Sequence, residues 1–185
     1  MPVQSSEPTP VWVEQLPDRP TVYVTLGTVF NELPVFRILL DGLAELDCNV
    51  IATIGLNADP EALEPIPANA HVERYVPQSL LLPHCSAVVG HGGSGTMLAA
   101  LAAGLPLLLV PQSADQFDNA AQATQVGAAR TLMPDELTEE AARTALLSLL
   151  DDESYRENAL RVAAEIAAMP APEEVVPILV EFAGA

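Results

Sequence analysis

A glycine-rich loop in the middle of the chain has the composition of an anion-binding site. The segment reads Ser86-Ala-Val-Val-Gly-His-Gly-Gly-Ser-Gly-Thr-Met-Leu-Ala-Ala, and it runs from a predicted strand directly into a predicted helix. Glycines let the backbone approach a ligand closely, and the N–H groups and dipole of a helix N-terminus favour phosphate. His91, Ser94 and Thr96 add side-chain donors for phosphate oxygens. The loop therefore predicts a phosphate site; the alternative is that the glycines only tighten a turn around a core histidine.

The same loop satisfies the literal dinucleotide fingerprint from Gly90 to Gly95, so an NAD-dependent oxidoreductase is a second alternative. That fingerprint belongs in the first strand–helix turn, with an acidic residue at the end of the next strand. Here it follows the fourth predicted strand, and the next strand ends at Val110 with Asp115 too far along to serve. A Walker phosphate loop needs a lysine, which this chain lacks, and the loop misses the last glycine of a nucleophile elbow.

Short apolar runs typical of strands alternate with helical patterns and position this loop. Predicted strands cover residues 21–26, 50–54, 71–76, 87–89, 105–110 and 129–132. Predicted helices cover residues 33–46, 79–82, 95–103 and 116–126, and then 138–150, 154–168 and 173–182 at the C-terminal end. This alternation predicts a three-layer α/β/α fold with a parallel sheet of about six strands. Ligands of such sheets bind beyond the carboxyl ends of the strands, so the loops there should carry the function.

The charge balance argues against polyanionic partners. The 185 residues include 25 acidic residues and seven arginines, for a formal net charge of −18. Binding to nucleic acid or to an anionic membrane needs clustered cations, so neither is expected as a partner. No apolar run approaches a membrane span and no signal peptide is visible, so we expect a cytoplasmic protein without an integral membrane segment.

The first 20 residues differ in composition from the rest. They contain five prolines with several Ser, Thr and Glu residues, which is typical of a linker or arm rather than a packed element. Residues 21–185 are long and apolar enough for one domain. Within it, Cys48 and Cys85 lie in apolar surroundings without CxxC spacing, so both are predicted to be buried thiols.

The run from Tyr75 to Gln122, YVPQSLLLPHCSAVVGHGGSGTMLAALAAGLPLLLVPQSADQFDNAAQ, resembles the donor-binding signature of GT-B glycosyltransferases, which use nucleoside-diphosphate sugars. It combines an aromatic-x-Pro-Gln tetrad, an L-x-H step, an H-x-G-x-x-[ST] loop, a G-x-P step and D-Q-x-x-N in this order. It is most similar to family-1-like bacterial enzymes that decorate antibiotics and other natural products. Upstream, VYVTLGTVFN and CNVIATIG resemble the first two strands of the same domain. The resemblance implies a Rossmann-like, C-terminal, donor-binding half of a GT-B fold.

The resemblance assigns the two ends of a donor to five residues. It implies that Tyr75 lies against the nucleobase, that the Val76 backbone hydrogen-bonds the base edge, and that Gln78 reaches the ribose. Asp115 and Gln116 would hydrogen-bond the hydroxyls of the donor sugar, a task for which a carboxylate and an amide supply acceptors and donors.

The diphosphate would lie between these ends, against His91. The further phosphate contacts that the resemblance implies are Thr28, Ser94, Gly95 and Thr96. His91 and the helix N-terminus would stabilise the charge that grows on the departing diphosphate, which is the catalytic role expected in this chain. No metal or other cofactor is expected, because helix dipole and hydrogen bonds would take the place of Mg²⁺.

The nucleotide is predicted to be a dTDP-sugar rather than a UDP-sugar. Many UDP-sugar enzymes place a glutamate on the ribose hydroxyls, and the matching position here is Ala99. A deoxyribose would not need that glutamate. Tyr75 stands where plant relatives have a tryptophan, and the tyrosine ring provides a smaller stacking surface.

In the enzymes that this chain resembles, the general base comes from an N-terminal domain, which has no counterpart here. We therefore expect the donor half of an inverting glycosyltransferase that transfers a hexose or deoxyhexose to a small-molecule acceptor. The acceptor would be bound by a missing N-terminal domain or a partner subunit, and the isolated chain should not transfer sugar. A GT-B-type nucleotide-sugar epimerase and a non-catalytic nucleotide-sugar-binding module are the alternatives left open.

Overall fold

Six parallel strands form one sheet, in agreement with the predicted fold class. A computed structural model of the chain describes residues 7–27 and 32–183, except for the side chain of residue 172. The strands are β1 (Thr21–Thr25), β2 (Asn49–Thr53), β3 (Ala70–Glu73), β4 (Ala87–Gly90), β5 (Leu107–Leu109) and β6 (Ala129–Thr131). Their order in the sheet is β3-β2-β1-β4-β5-β6. All neighbouring pairs are parallel.

The helices occur in the predicted order, with one addition at the N-terminal end. They are α1 (Val11–Glu14), α2 (Leu33–Leu43), α3 (Gln78–Leu81), α4 (Ser94–Ala102), α5 (Gln116–Gln125), α6 (Glu139–Asp151), α7 (Glu153–Ala167) and α8 (Pro172–Ala183). Two 3₁₀ turns lie at Pro60–Leu63 and Leu82–His84. In the described part of the chain, no helix has the length and apolar character needed to cross a membrane.

Side-chain caps lie at the N-termini of two helices near the C-terminal end of the chain, α6 and α7. The Thr138 hydroxyl accepts a hydrogen bond from the Ala141 N–H at 3.1 Å and so caps α6. The Asp152 carboxylate accepts one from the Ser154 N–H at 3.0 Å and caps α7. Threonine and aspartate favour this position because their side chains satisfy N–H groups that have no partner within the helix. The sequence therefore fixes where both helices begin.

Alternate side chains of each strand enter two separate cores. Val22 and Val24 of β1 pack in the core shared with α2 and α6. Tyr23, between them, packs in the opposite core, to which α3, α4, α5 and α7 contribute. Because a strand buried on both faces has no polar side, the strands read as nearly continuous apolar runs. Because both faces of the sheet are covered, a ligand can reach it at the loops that follow the carboxyl ends of the strands.

The segment around α1 packs against the sheet, which differs from the expectation of an unpacked arm. Val13 is only 3% exposed, and the Trp12 ring stacks on the His71 ring with centroids 3.9 Å apart. The strand register places Tyr23, Ile51 and His71 side by side, so these side chains share one face of the sheet. The apolar side chains of α1 join the core on that face. The prolines around this short apolar run obscured it in the sequence.

Both cysteines are free and buried, as predicted. Burial raises the pKa of the Cys48 thiol to about 11 and that of the Cys85 thiol to about 12. Thiols with such pKa values are protonated and unreactive near neutral pH. Neither cysteine therefore belongs to the chemistry of this chain.

Candidate functional site

A cleft of about 620 Å³ opens at the carboxyl ends of the strands. The loops after β1, β2, β3, β4 and β5 all contribute residues to it. The strand order reverses between β1 and β4, and open α/β sheets bind ligands at such a switch point. The cleft therefore lies where the topology alone would place a ligand.

Nine of the ten predicted site residues line this cleft. They are Tyr75, Val76, Gln78, His91, Ser94, Gly95, Thr96, Asp115 and Gln116. Thr28, the tenth, lies outside the described residues. The structure thus brings together residues that are up to 41 positions apart in the sequence, from Tyr75 to Gln116.

His91 is held between two glycines at the centre of the cleft. A β-carbon at Gly27 would lie 2.7 Å from His91 Cε1, and one at Gly93 would lie 2.4 Å from Nε2. Both contacts are too short for a side chain, so glycine at these positions leaves room for the imidazole. His91 Nδ1 is buried, and no described group hydrogen-bonds to it. Burial lowers the pKa of His91, and the nearby Asp115 carboxylate acts in the opposite direction.

The N-terminus of α4 faces the same cleft. Gly93 precedes the helix, and among the described residues no side chain caps its N-terminus. Ser94, Gly95 and Thr96 form the first turn and line the cleft. A helix start without a side-chain cap offers its backbone N–H groups to a ligand, together with the positive end of the dipole. His91 and α4 therefore form one site for an anion.

Tyr75, Val76 and Gln78 form the end of the cleft next to β3. Strand β3 ends at Glu73, three residues earlier than predicted, so these residues have left the sheet. Tyr75 is 55% exposed. The Val76 side chain is buried in the core, which leaves its backbone as the part that faces the cleft. An exposed aromatic ring beside an accessible backbone segment suits a flat heterocycle with polar edges.

Gln116, at the opposite end of the cleft, is more buried and makes more hydrogen bonds within the protein than the sequence predicts. It is 4% exposed, and its Oε1 accepts hydrogen bonds from the N–H groups of Gln112 at 2.8 Å and Ser113 at 3.1 Å. The described hydrogen bonds make no use of its Nε2. Gln116 therefore shapes the loop before α5 with its oxygen, and only its NH₂ group remains to donate to a ligand.

Asn119 is a residue whose role the sequence analysis missed. Its Nδ2 donates to the Gly92 carbonyl oxygen at 2.9 Å and to Asp115 Oδ2 at 3.1 Å. It therefore ties the start of α5 to the glycine-rich loop and orients Asp115. The D-Q-x-x-N spacing was the available signal, because residues four apart share one face of a helix.

Other lining residues come from strand ends rather than from a motif. They are Tyr23, Thr25, Gly27, Thr53, Gly55, Leu56, Asn57 and Arg74, while Gly93 of the glycine-rich loop completes the lining. The Tyr23 and Thr53 hydroxyls hydrogen-bond to each other at 2.7 Å beneath the cleft. The rule that ligands bind at the carboxyl ends of strands was the only sequence signal for these positions.

The cleft itself carries little net charge within an acidic protein. Among its described lining residues, Arg74 has the only guanidinium and Asp115 the only carboxylate. Arg74 also faces Asp59 at 3.7 Å, and both side chains are more than half exposed. Within residues 7–27 and 32–183, no three His, Cys, Asp or Glu side chains are grouped to hold a metal ion. An anion bound here would meet backbone N–H groups, hydroxyls and an imidazole.

Ala99 offers no polar group to the cleft. Its side chain is buried in the same core as Val76 and Leu81. Ala99 is also not among the described residues that line the cleft. The preference for a deoxyribose nucleotide, which rests on Ala99, stays a prediction.

Comparison with known proteins links the cleft to a family. The family described as "Erythromycin biosynthesis protein CIII-like, C-terminal domain" matches residues 37–182. Aclacinomycin-T 2-deoxy-L-fucose transferase of Streptomyces galilaeus is 38% identical over 177 residues, which cover 92% of this chain and 40% of the relative. Tylactone mycaminosyltransferase of Streptomyces fradiae is 36% identical over 178 residues, which cover 92% of this chain and 38% of the relative. The chain thus spans about two-fifths of these relatives.

Solved structures match the whole fold. Spinosyn forosaminyltransferase SpnP has a TM-score of 0.85 and 32% identity, covering 100% of this chain and 49% of SpnP. Glycosyltransferase VinC in complex with dTDP has a TM-score of 0.84 and 30% identity, covering 98% of this chain and 46% of VinC.

Proposed function

Because the chain belongs to the family of erythromycin biosynthesis protein CIII-like C-terminal domains, we propose that it binds the sugar donor of a natural-product glycosyltransferase. Its fold is that of the C-terminal half of GT-B glycosyltransferases. The proposed donor is a nucleoside-diphosphate sugar, and the proposed reaction transfers a hexose or deoxyhexose to a small-molecule acceptor with inversion.

The observation that carries this proposal is the linear order of three kinds of group along the cleft. Tyr75 follows β3, His91 follows β4 and Asp115 follows β5. In the sheet order β3-β2-β1-β4-β5, the first and last of these strands are four spacings apart, or about 19 Å at about 4.8 Å per strand. This distance is comparable to an extended nucleotide sugar, with base at Tyr75, diphosphate at His91 and sugar at Asp115.

The proposed chemistry uses the anion site for the leaving group. The acceptor oxygen attacks the anomeric carbon from the face opposite the diphosphate, and the bond from that carbon to the β-phosphate oxygen breaks. The electron pair stays with the diphosphate, where His91 and the N–H groups of α4 stabilise the added charge. The proton of the acceptor hydroxyl goes to a general base outside this chain.

We further propose that the diphosphate is bound without a metal ion. Donors from His91, Ser94, Thr96 and the α4 backbone meet in the cleft, and they can contact phosphate oxygens directly. The affinity for dTDP should therefore be the same in EDTA as in millimolar Mg²⁺. A requirement for Mg²⁺ would contradict this part of the proposal.

A dTDP-sugar is the proposed donor in preference to a UDP-sugar. Ala99 supplies no carboxylate for a ribose 2′-hydroxyl, which supports a deoxyribose nucleotide. The similar glycosyltransferase VinC has been solved in complex with dTDP, which also supports this choice.

Calorimetric titration of the 185-residue chain with dTDP, UDP and NAD⁺ in the same buffer tests the proposal. We expect dTDP to bind most tightly, and His91→Ala to weaken that binding at least tenfold. His84→Ala is the matched control, because His84 is exposed and is not among the residues that line the cleft. Binding of NAD⁺ with no response to either diphosphate would instead support an oxidoreductase.

We propose that this chain alone binds the donor without transferring the sugar, because the general base and acceptor site lie elsewhere. Mixed with the missing N-terminal part or partner subunit and an acceptor, it should release free dTDP from a dTDP-sugar. Conversion of the donor into an isomer without dTDP release would indicate an epimerase, and binding without any reaction would indicate a binding module. The cytoplasmic location stays a prediction.

A further inference from the structure

Two large side chains with apolar surface line the cleft and are more than half exposed. Leu56 is 69% exposed and Tyr75 is 55% exposed, and both line the cleft. Exposed leucines need no explanation when they are scattered, but an exposed leucine beside an exposed aromatic ring inside a cleft forms an apolar surface for a ligand.

The backbone brings these two residues together. The Ile54 N–H donates to the Glu73 carbonyl oxygen at 3.0 Å, and the Gly55 N–H donates to the Arg74 carbonyl oxygen at 2.9 Å. Leu56 and Tyr75 are therefore the next residues along two segments that are still hydrogen-bonded to each other. Gly55 has a φ of +95°, a conformation that glycine adopts easily, and it turns Leu56 out of the line of β2.

We propose that Leu56 and Tyr75 together bind the nucleobase, and that Leu56 contacts the 5-methyl group of thymine. This inference rests on the proposed function, in which Tyr75 lies against the base. Tyr75 offers a flat face that accepts any pyrimidine, whereas Leu56 offers an apolar contact to a methyl group at the ring edge. Leu56 is thus a specificity-determining residue that separates thymine from uracil.

Recognition of the thymine methyl group is independent of how the protein distinguishes deoxyribose from ribose. The contrast between thymine and uracil depends on one methyl group, and the contrast between deoxyribose and ribose depends on the 2′-hydroxyl. Burial of one methyl group against Leu56 should favour thymine by about fourfold in affinity. The pair dTDP and dUDP isolates this contribution, because the two ligands differ only in that methyl group.

The test is calorimetric titration of wild type and Leu56→Ala with dTDP and with dUDP. We expect wild type to bind dTDP about fourfold more tightly, and Leu56→Ala to bind both ligands almost equally because dTDP alone loses the contact. Leu56→Met keeps an apolar side chain and should restore most of the preference. Leu147→Ala is the matched control, because Leu147 is an exposed leucine on α6 outside the cleft residues.

The outcomes separate this inference from the proposed function. If wild type binds neither dTDP nor dUDP, the proposed function fails. If wild type binds both but with equal affinity, or if Leu56→Ala keeps the wild-type preference, the donor site stands and the role of Leu56 is wrong.

Discussion

The His91 imidazole occupies the space that a side chain at Gly93 would need. A β-carbon at Gly93 would lie 2.4 Å from His91 Nε2. The backbone of Gly93 has a φ of −63°, which any residue can adopt, so an alanine there meets a steric problem with the imidazole alone. The glycine is required for the position of the histidine rather than for the turn.

Gly93→Ala should therefore fold normally but displace His91 and weaken dTDP binding. We expect a loss of roughly tenfold or more, since a charge-assisted hydrogen bond to phosphate is worth about 1.5–3 kcal/mol. Gly90→Ala is the control, because a β-carbon there would have its nearest neighbour at 3.7 Å, an ordinary contact. The measurement is titration with dTDP, accompanied by thermal unfolding. Equal affinity in the two variants would contradict the steric argument.

The stability of the chain should fall at mildly acidic pH because of His91. An unfolded histidine has a pKa near 6.5, and burial in the folded chain lowers the pKa of His91 below that value. Between these two pKa values the unfolded state binds more protons, so the free energy of unfolding rises with pH in this range and falls as the pH is lowered through it. Urea unfolding at pH 8 and pH 5.5 should show this loss.

His91→Gln is the comparison for that measurement, because glutamine has no group that titrates there. Every other ionisable group is common to both proteins, so the difference in their pH dependence isolates His91. The variant should lose less stability than wild type between pH 8 and pH 5.5. A pH dependence identical to that of wild type would contradict the assignment.

Two substitutions of Gln116 should separate its structural role from its proposed role in sugar binding. Gln116→Ala leaves the N–H groups of Gln112 and Ser113 without an acceptor and should reduce stability by about 1–3 kcal/mol. Gln116→Glu keeps an acceptor oxygen but loses the NH₂ donor. It should retain more stability than the alanine variant, yet bind a dTDP-hexose more weakly relative to dTDP. An unchanged ratio of these two affinities would show that Gln116 does not contact the sugar.

The contribution of α1 to the free energy of unfolding can be measured by substituting two valines of this helix. Val13 is 3% exposed and Val11 is 66% exposed. Val13→Ala removes buried apolar surface and should lower the free energy of unfolding by about 2 kcal/mol. Val11→Ala should change it by no more than about 0.5 kcal/mol. Urea unfolding of both variants provides the comparison, and equal effects would mean that α1 is not held on the sheet in solution.

The sequence predicted the sheet and most helices because their apolar periodicity is strong, and α6 and α7 also begin at side-chain caps, Thr138 and Asp152. It also placed nine of the ten proposed site residues in one cleft, since the motif fixes their order along the strand ends. It missed the hydrogen bonds that Gln116 Oε1 accepts from the preceding loop, because these depend on a loop conformation in which Ala114 has a φ of +54°. It missed the packing of Trp12 on His71, because a contact across 59 positions leaves no local pattern. Such contacts follow from tertiary packing rather than from local preference.

The packing of α1 also determines where this domain can be joined to a different partner domain. A chimera joined at Pro20 would separate this domain from α1, whose side chains pack on the face of the sheet that holds Tyr23, Ile51 and His71. A chimera joined before Pro10 would keep α1 with the domain. Chimeric glycosyltransferases built at the upstream junction should therefore express and fold better than those joined at the proline that precedes β1.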